Sequence, residues 1–142
     1  MILYLDTSSL VKLYVEETGS DMLQGWVKEA ETVSTCRVAY PETISAFHRR
    51  FNNSDLSGKD FNLLCKKFVR EWGNFAALDF DEIEAGRLVK KHGLRGFDAI
   101  HLSSAKLLQS ADTSISLSFS SFDKKLNDAA SAEGLSVLSL VN

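Results

Sequence analysis

Cysteine is scarce in this 142-residue chain: there are two, Cys36 and Cys65. They have neither the number nor the spacing of a disulfide framework or a zinc site, so a reducing cytoplasm is the expected home. Long apolar runs are missing too. The N-terminal stretch Ile2 to Leu5 is cut off by Asp6, too short for a signal peptide or a membrane span. No charge of one sign dominates. Sixteen Lys and Arg against nineteen Asp and Glu leave −3, which argues against a dedicated nucleic-acid coat. No repeat, linker or low-complexity tract appears, and the single proline is Pro41. What remains is a hydrophobic content of 44% with 25% charged residues, the balance of one folded domain over residues 1–142. Such a chain buries roughly 70% of its unfolded surface.

The order of patterns along the chain is β-α-α-β-α-α-β-α-α-β-α-β. Ile2 to Leu5 reads as a short buried strand, followed by a helix from Thr7 or Ser8 through Glu16. A second helix covers about Asp21 to Glu29, and Thr32 to Cys36 is a β-branched strand. Pro41 suits the first turn of the next helix, because it has no N–H to leave unpaired there. Ser57 opens a helix through Trp72, with Phe61, Leu64, Cys65, Phe68 and Trp72 as its apolar stripe. Phe75 to Leu78 is a strand, and Asp81 and Gly93 bracket a helix. Phe97 to Leu108 is an evenly apolar helix, and Ile115, Leu117 and Phe119 alternate as a strand. Asp123 to Glu133 is helical, and Leu135 to Leu140 closes the chain as a strand. Alternation of this kind predicts an α/β domain, a mostly parallel sheet with helices on both faces.

Four acids fall where a strand gives way to a helix or in a helix's first turn: Asp6, Glu42, Asp98 and Asp123. Strand C-termini and helix N-termini share one edge of an open parallel sheet, so distant residues can meet there. Each acid alone could be a helix cap or an anion at a helix dipole. Four on one edge repel unless a cation neutralises them, and oxygen-only ligands suit Mg²⁺ or Mn²⁺. Metal-dependent phosphate chemistry is the reading that follows.

The segments Asp6-Thr7-Ser8-Ser9-Leu10-Val11-Lys12-Leu13-Tyr14, Glu42, Leu94-Arg95-Gly96-Phe97-Asp98-Ala99-Ile100-His101-Leu102 and Ser121-Phe122-Asp123-Lys124-Lys125-Leu126-Asn127 carry a family resemblance. Together they resemble PIN-domain proteins, and within them the VapC-type toxin ribonucleases of toxin–antitoxin pairs. The resemblance runs from Met1 nearly to Asn142. It implies a five-stranded sheet ordered about 3-2-1-4-5. It also implies a Mg²⁺- or Mn²⁺-dependent endoribonuclease, acting on tRNA or rRNA, with Asp6, Glu42, Asp98 and Asp123 as catalytic metal ligands. Ser121 matches a position where the family carries Thr or Ser and is expected to hold a water at the ion. A homodimer and a small antitoxin partner are further implications. Pro41 before Glu42 departs from the family pattern and is expected to set where that helix starts.

Around the acids, Thr7 and Ser8 are caps first and supports for the ligands second. Lys12, Arg95 and Lys124 are candidate phosphate contacts, although each would serve equally as a solvated surface charge. His101 reads more readily as a packed, hydrogen-bonded histidine than as a general base. His48 and His92 read as surface residues. The aromatic side chains of the first four helices exceed what a small layer requires, so an exposed subset would mark a partner face.

Three rivals remain. An aspartyl phosphatase wants a second carboxylate two residues after Asp6, where Ser8 stands. A receiver-like domain wants two adjacent acids after the first strand. A catalytically inactive module binding RNA or protein would keep the fold without needing all four acids.

Overall fold

The computed structural model describes residues 1–139. Five strands, β1 (Ile2–Leu5), β2 (Thr32–Cys36), β3 (Ala76–Leu78), β4 (Leu117–Ser120) and β5 (Ser136–Leu138), form one sheet ordered 3-2-1-4-5. Every neighbouring pair is parallel, with Tyr4 of β1 beside Ser34 on one side and Phe119 on the other. The expected order holds, and the parallel character is complete rather than predominant. Leu140, expected to end the last strand, lies outside the described residues.

The apolar run of β1 follows from burial on both faces. Leu3 and Leu5 point into one layer with Leu10, Leu23, Phe47 and Phe68. These come from α1 (Thr7–Lys12), α2 (Ser20–Glu29), α3 (Ala39–Asn52) and α4 (Gly58–Glu71). Tyr4 points the other way, with Leu88, Leu102 and Leu126. They belong to α5 (Glu82–His92), α6 (Gly96–Ala111) and α7 (Lys124–Ala132).

Most of the aromatic surplus turns inward. Phe47, Phe68, Tyr14, Tyr40 and Trp72 form one cluster with ring centroids 5.3–6.0 Å apart. The large apolar side chains left outside on α4 are the aliphatic Leu63 and Val69.

One helix stops earlier than its pattern. The stretch after Asp6 was expected to stay helical through Glu16, but α1 ends at Lys12. Tyr14 is drawn into the aromatic cluster instead. The turn is fixed by Ser20, whose Oγ accepts from Glu17 N–H at 3.0 Å. The Ser57 and Asp81 caps and the left-handed Gly93 (φ 67) stand as expected.

His92 departs from its surface reading. Its Nε2 lies 2.8 Å from Glu133, whose carboxylate also binds Lys91 and Lys106 at 2.7 Å and Arg87 at 3.0 Å. Glu133 caps the C-terminus of α7, where the helix dipole disfavours an anion, and its side chain is only 5% exposed. These donors, Lys106 first, hold its carboxyl far below the ordinary 4.5. Neighbouring Glu84 is pushed down to about 2 by Arg87 and Lys106. A depressed carboxyl contributes stability above its ordinary pKa and loses it as pH falls toward the folded value. Stability should therefore decline from about pH 4.5 toward 2, and Glu133→Gln should flatten that limb in urea melts. At neutral pH the same variant should cost about 2 kcal/mol, because Lys91, Lys106 and Arg87 lose their shared anion.

Candidate active site

Each acidic side chain is placed by a strand end or a helix start. Asp6 ends β1 and caps α1, accepting Ser9 N–H at 2.9 Å and Ser8 Oγ–H at 2.7 Å on Oδ1. Its Oδ2 accepts from Ser121 Oγ at 2.6 Å. Ser121 Oγ in turn accepts Asp123 N–H at 3.0 Å, and Ser8 Oγ accepts Phe122 N–H at 2.9 Å. Thus β1 and the turn after β4 are stitched together at Asp6. Burial pushes the Asp6 carboxyl up, offset only in part by the His101 ring and by bonds from Ser121, Ser8 and Ser9.

Glu42 lies in the first turn of α3, directly after Pro41. The helix begins at Ala39, and Glu42 N–H reaches Val38 O at 3.2 Å as in any regular turn. Thr7 Oγ1 donates to Glu42 Oε1 at 2.6 Å, and His101 Nε2 lies 2.9 Å from the same oxygen. Burial alone would raise this carboxyl, but the bonds from His101 and Thr7 outweigh it and hold it low.

His101 is 2% exposed and bonded at both nitrogens, with Tyr4 Oη 2.8 Å from Nδ1. A neutral ring satisfies both contacts only as the Nε2–H tautomer, with Tyr4 donating. The packed reading holds, and the residue it packs toward is Glu42. Sequence reasoning missed Tyr4; its signal was a phenol inside a strand buried on both faces, where a hydroxyl needs a partner.

Asp98 stands in the first turn of α6, and Asp123 caps α7 through Leu126 N–H at 3.0 Å. Arg95 bridges them, with Nε 3.1 Å from Asp98 and a terminal nitrogen 3.5 Å from Asp123. The hydrogen bond and charge of Asp98, then the charge of Asp123, raise the Arg95 pKa.

All four carboxylates line one cleft of about 1070 Å³ along the C-terminal edge of the sheet. Thr7, Ser8, Lys12, Arg95 and His101 line it as well. Lys12 is not free there: it pairs with Glu17 at 3.2 Å and lies over the Phe122 ring at 4.6 Å. Lys124 pairs with Asp128 at 2.8 Å on the solvent face of α7 and is not part of the cleft wall. Arg49, Arg50 and Phe97 do line it, although sequence reasoning gave them no role.

As positioned, no three His, Cys, Asp or Glu of the described residues form a group that could hold a metal ion. Hydroxyls, the histidine and Arg95 engage the carboxylates instead. In kind, the donor set fits a hard divalent cation, since every candidate ligand is a carboxylate oxygen. The guanidinium between Asp98 and Asp123 marks where positive charge is wanted.

A fully parallel 3-2-1-4-5 sheet with four carboxylates along its C-terminal edge defines an α/β domain with an acidic edge cleft. The chain belongs to the PIN-domain family, whose model matches residues 3–132. It is 32% identical to Ribonuclease VapC45 and to Ribonuclease VapC49, from two strains of Mycobacterium tuberculosis. Each match covers 96% of this chain and 94% of the relative. Among solved structures, FitAcB from Neisseria gonorrhoeae superposes with a TM-score of 0.67 at 19% identity, covering 98% of this chain and 97% of that one. PAE2754 from Pyrobaculum aerophilum gives 0.66 at 18% identity, over 96% and 83%. At such identities the structures speak for the fold alone.

Proposed function

We propose that this chain is a Mg²⁺- or Mn²⁺-dependent endoribonuclease, the toxin of a toxin–antitoxin pair acting on tRNA or rRNA in the cytoplasm. The observation that carries the reading is that Asp6, Glu42, Asp98 and Asp123, from four separate elements, line a single cleft. A bound divalent ion supplies positive charge for an attacking water and for the departing oxygen. Asp6, Glu42 and Asp98 would hold it, and Asp123 would complete a second position or orient the water. Ser121 and Ser8 fix the Asp6 carboxylate; Thr7 and His101 fix that of Glu42. Arg95 must leave Asp98 and Asp123 as substrate and ion arrive, which its 81% exposure permits.

A homodimer and a small antitoxin are part of the same reading. The shallow groove of about 350 Å³ between Tyr14, Val15, Leu56, Leu63 and Leu64 suits an apolar partner segment. A strictly monomeric chain that bound no antitoxin peptide would remove that part.

The test is incubation of labelled tRNA and rRNA fragments with Mn²⁺, Mg²⁺ or EDTA, alongside Asp98→Asn. Expected are metal-dependent, mutant-sensitive cuts leaving 5′-phosphate and 3′-hydroxyl ends. Cyclic 2′,3′-phosphate ends would point instead to attack by the RNA's own 2′-hydroxyl. Binding without cleavage under every metal would favour a catalytically inactive module.

A further inference from the structure

Phe97 is out of place on energetic grounds. It begins α6 beside Asp98, it lines the acidic cleft, and 56% of its surface is open to solvent. Next to it Gly96 adds no wall: a Cβ there would meet nothing within 4 Å. A large aromatic ring gains nothing by standing in water, and the two cores hold the other phenylalanines wholly or in part except Phe51, which stacks on Phe61 at 5.2 Å. Phe122, which also lines the cleft, is covered by Lys12 at 4.6 Å. Phe97 therefore offers an exposed ring, with no aromatic or cationic partner among the described residues, to the cleft. Arg49 lines the same cleft, bonded only to Ser45 Oγ at 3.3 Å and in no close ion pair among the described residues, although its charge helps hold the Glu42 carboxyl low. The cleft thus holds, besides its four carboxylates, a cation in no close ion pair and an exposed aromatic ring.

We propose that Phe97 is a positioning residue for the substrate: one nucleobase flanking the scissile phosphate stacks on its ring. The inference rests on the ribonuclease reading above and deepens it to a contact made with a base rather than with the backbone. Stacking on an aromatic ring is tolerant of base identity and requires a base free of its neighbours. Arg49, on the same cleft wall, would then hold a backbone phosphate, a contact that positions the strand without reading sequence. Phe97 touches none of the carboxylates through a hydrogen bond, so its contribution falls on binding, not on the chemical step.

The experiment uses a short unstructured oligoribonucleotide, cleaved by the wild-type chain, and a series in which one position at a time is abasic. Phe97→Ala should raise KM about tenfold to a hundredfold with little change in kcat, while Phe97→Tyr should retain wild-type KM. One abasic position beside the cut should weaken wild-type binding equally and add nothing in Phe97→Ala. Direct binding by fluorescence anisotropy in an Asp6→Asn background should repeat the pattern without cleavage. Unchanged KM and binding in Phe97→Ala overturn the stacking contact and leave the ribonuclease reading standing. So does a Phe97→Ala variant that binds RNA normally but loses its protein partner, which would make the ring a protein contact. A wild-type chain that neither binds nor cuts any RNA overturns both readings together.

Discussion

Asp6→Asn should lower cleavage by about 10³-fold or more, beyond the 10–100-fold typical of an outer partner of a metal ligand. The fold should survive the change intact, with an unchanged or slightly raised melting temperature. The reason is local. Asp6 is 3% exposed and carries a charge that burial disfavours, so the neutral isostere removes a cost. Asn still accepts Ser9 N–H, and Asn is as good a helix cap as Asp. Its amide can donate to Ser121 Oγ, which turns its own hydrogen elsewhere. Asp6→Ala separates the effects: it should be as inactive, but should also lose about 1 kcal/mol of capping and orphan two serine hydroxyls. Rates on the labelled RNA and paired thermal melts check both statements. A fully active Asp6→Asn would sink the site.

His101→Ala should be the most damaging change away from the carboxylates. It removes a fully packed ring and leaves Tyr4 Oη buried without a partner. The expected loss is about 3 kcal/mol, from a cavity plus an unsatisfied hydroxyl. Activity should also fall about 10- to 100-fold, since Glu42 loses one of its two donors. Tyr4→Phe touches only the far end of the chain Tyr4–His101–Glu42, and should cost about 1 kcal/mol with a smaller effect on rate. The double variant should cost less than the sum, because both singles break the same bond. If His101 were a general base, His101→Ala would lose stability equally but lower kcat by about 10³- to 10⁴-fold. Urea midpoints and single-turnover rates distinguish these outcomes.

Much of this molecule was legible before its coordinates. Residues Thr32 to Cys36 form the strand their β-branched pattern predicts, and Asp81 and Gly93 bracket α5 as their chemistry requires. The four acids could be placed on one edge because parallel α/β connectivity puts every strand end there. Contacts between distant segments were not legible. Leu13, Tyr14 and Val15 continue an apolar pattern, but the aromatic cluster they join takes them out of α1. Nothing near His101 in sequence shows that Tyr4 and Glu42 flank it, 97 and 59 positions away. The pairings of the basic candidates were hidden for a related reason: Lys12 and Lys124 look free in sequence, and each meets a carboxylate five or four residues on.

The stitch between Asp6 and Ser121 joins positions 115 apart, through the central strand of the sheet and one that is made late. Until β4 pairs beside β1, Asp6 lacks its Oδ2 partner and the cleft lacks the wall that carries Asp123. A chain still being synthesised, or cut short before that turn, holds Asp6, Glu42 and even Asp98 without the enclosure that gathers them. For a protein whose proposed activity would harm the cell that makes it, the hazard arrives with the last fifth of the chain. Translation itself becomes a safety interval, within which a partner can already be waiting.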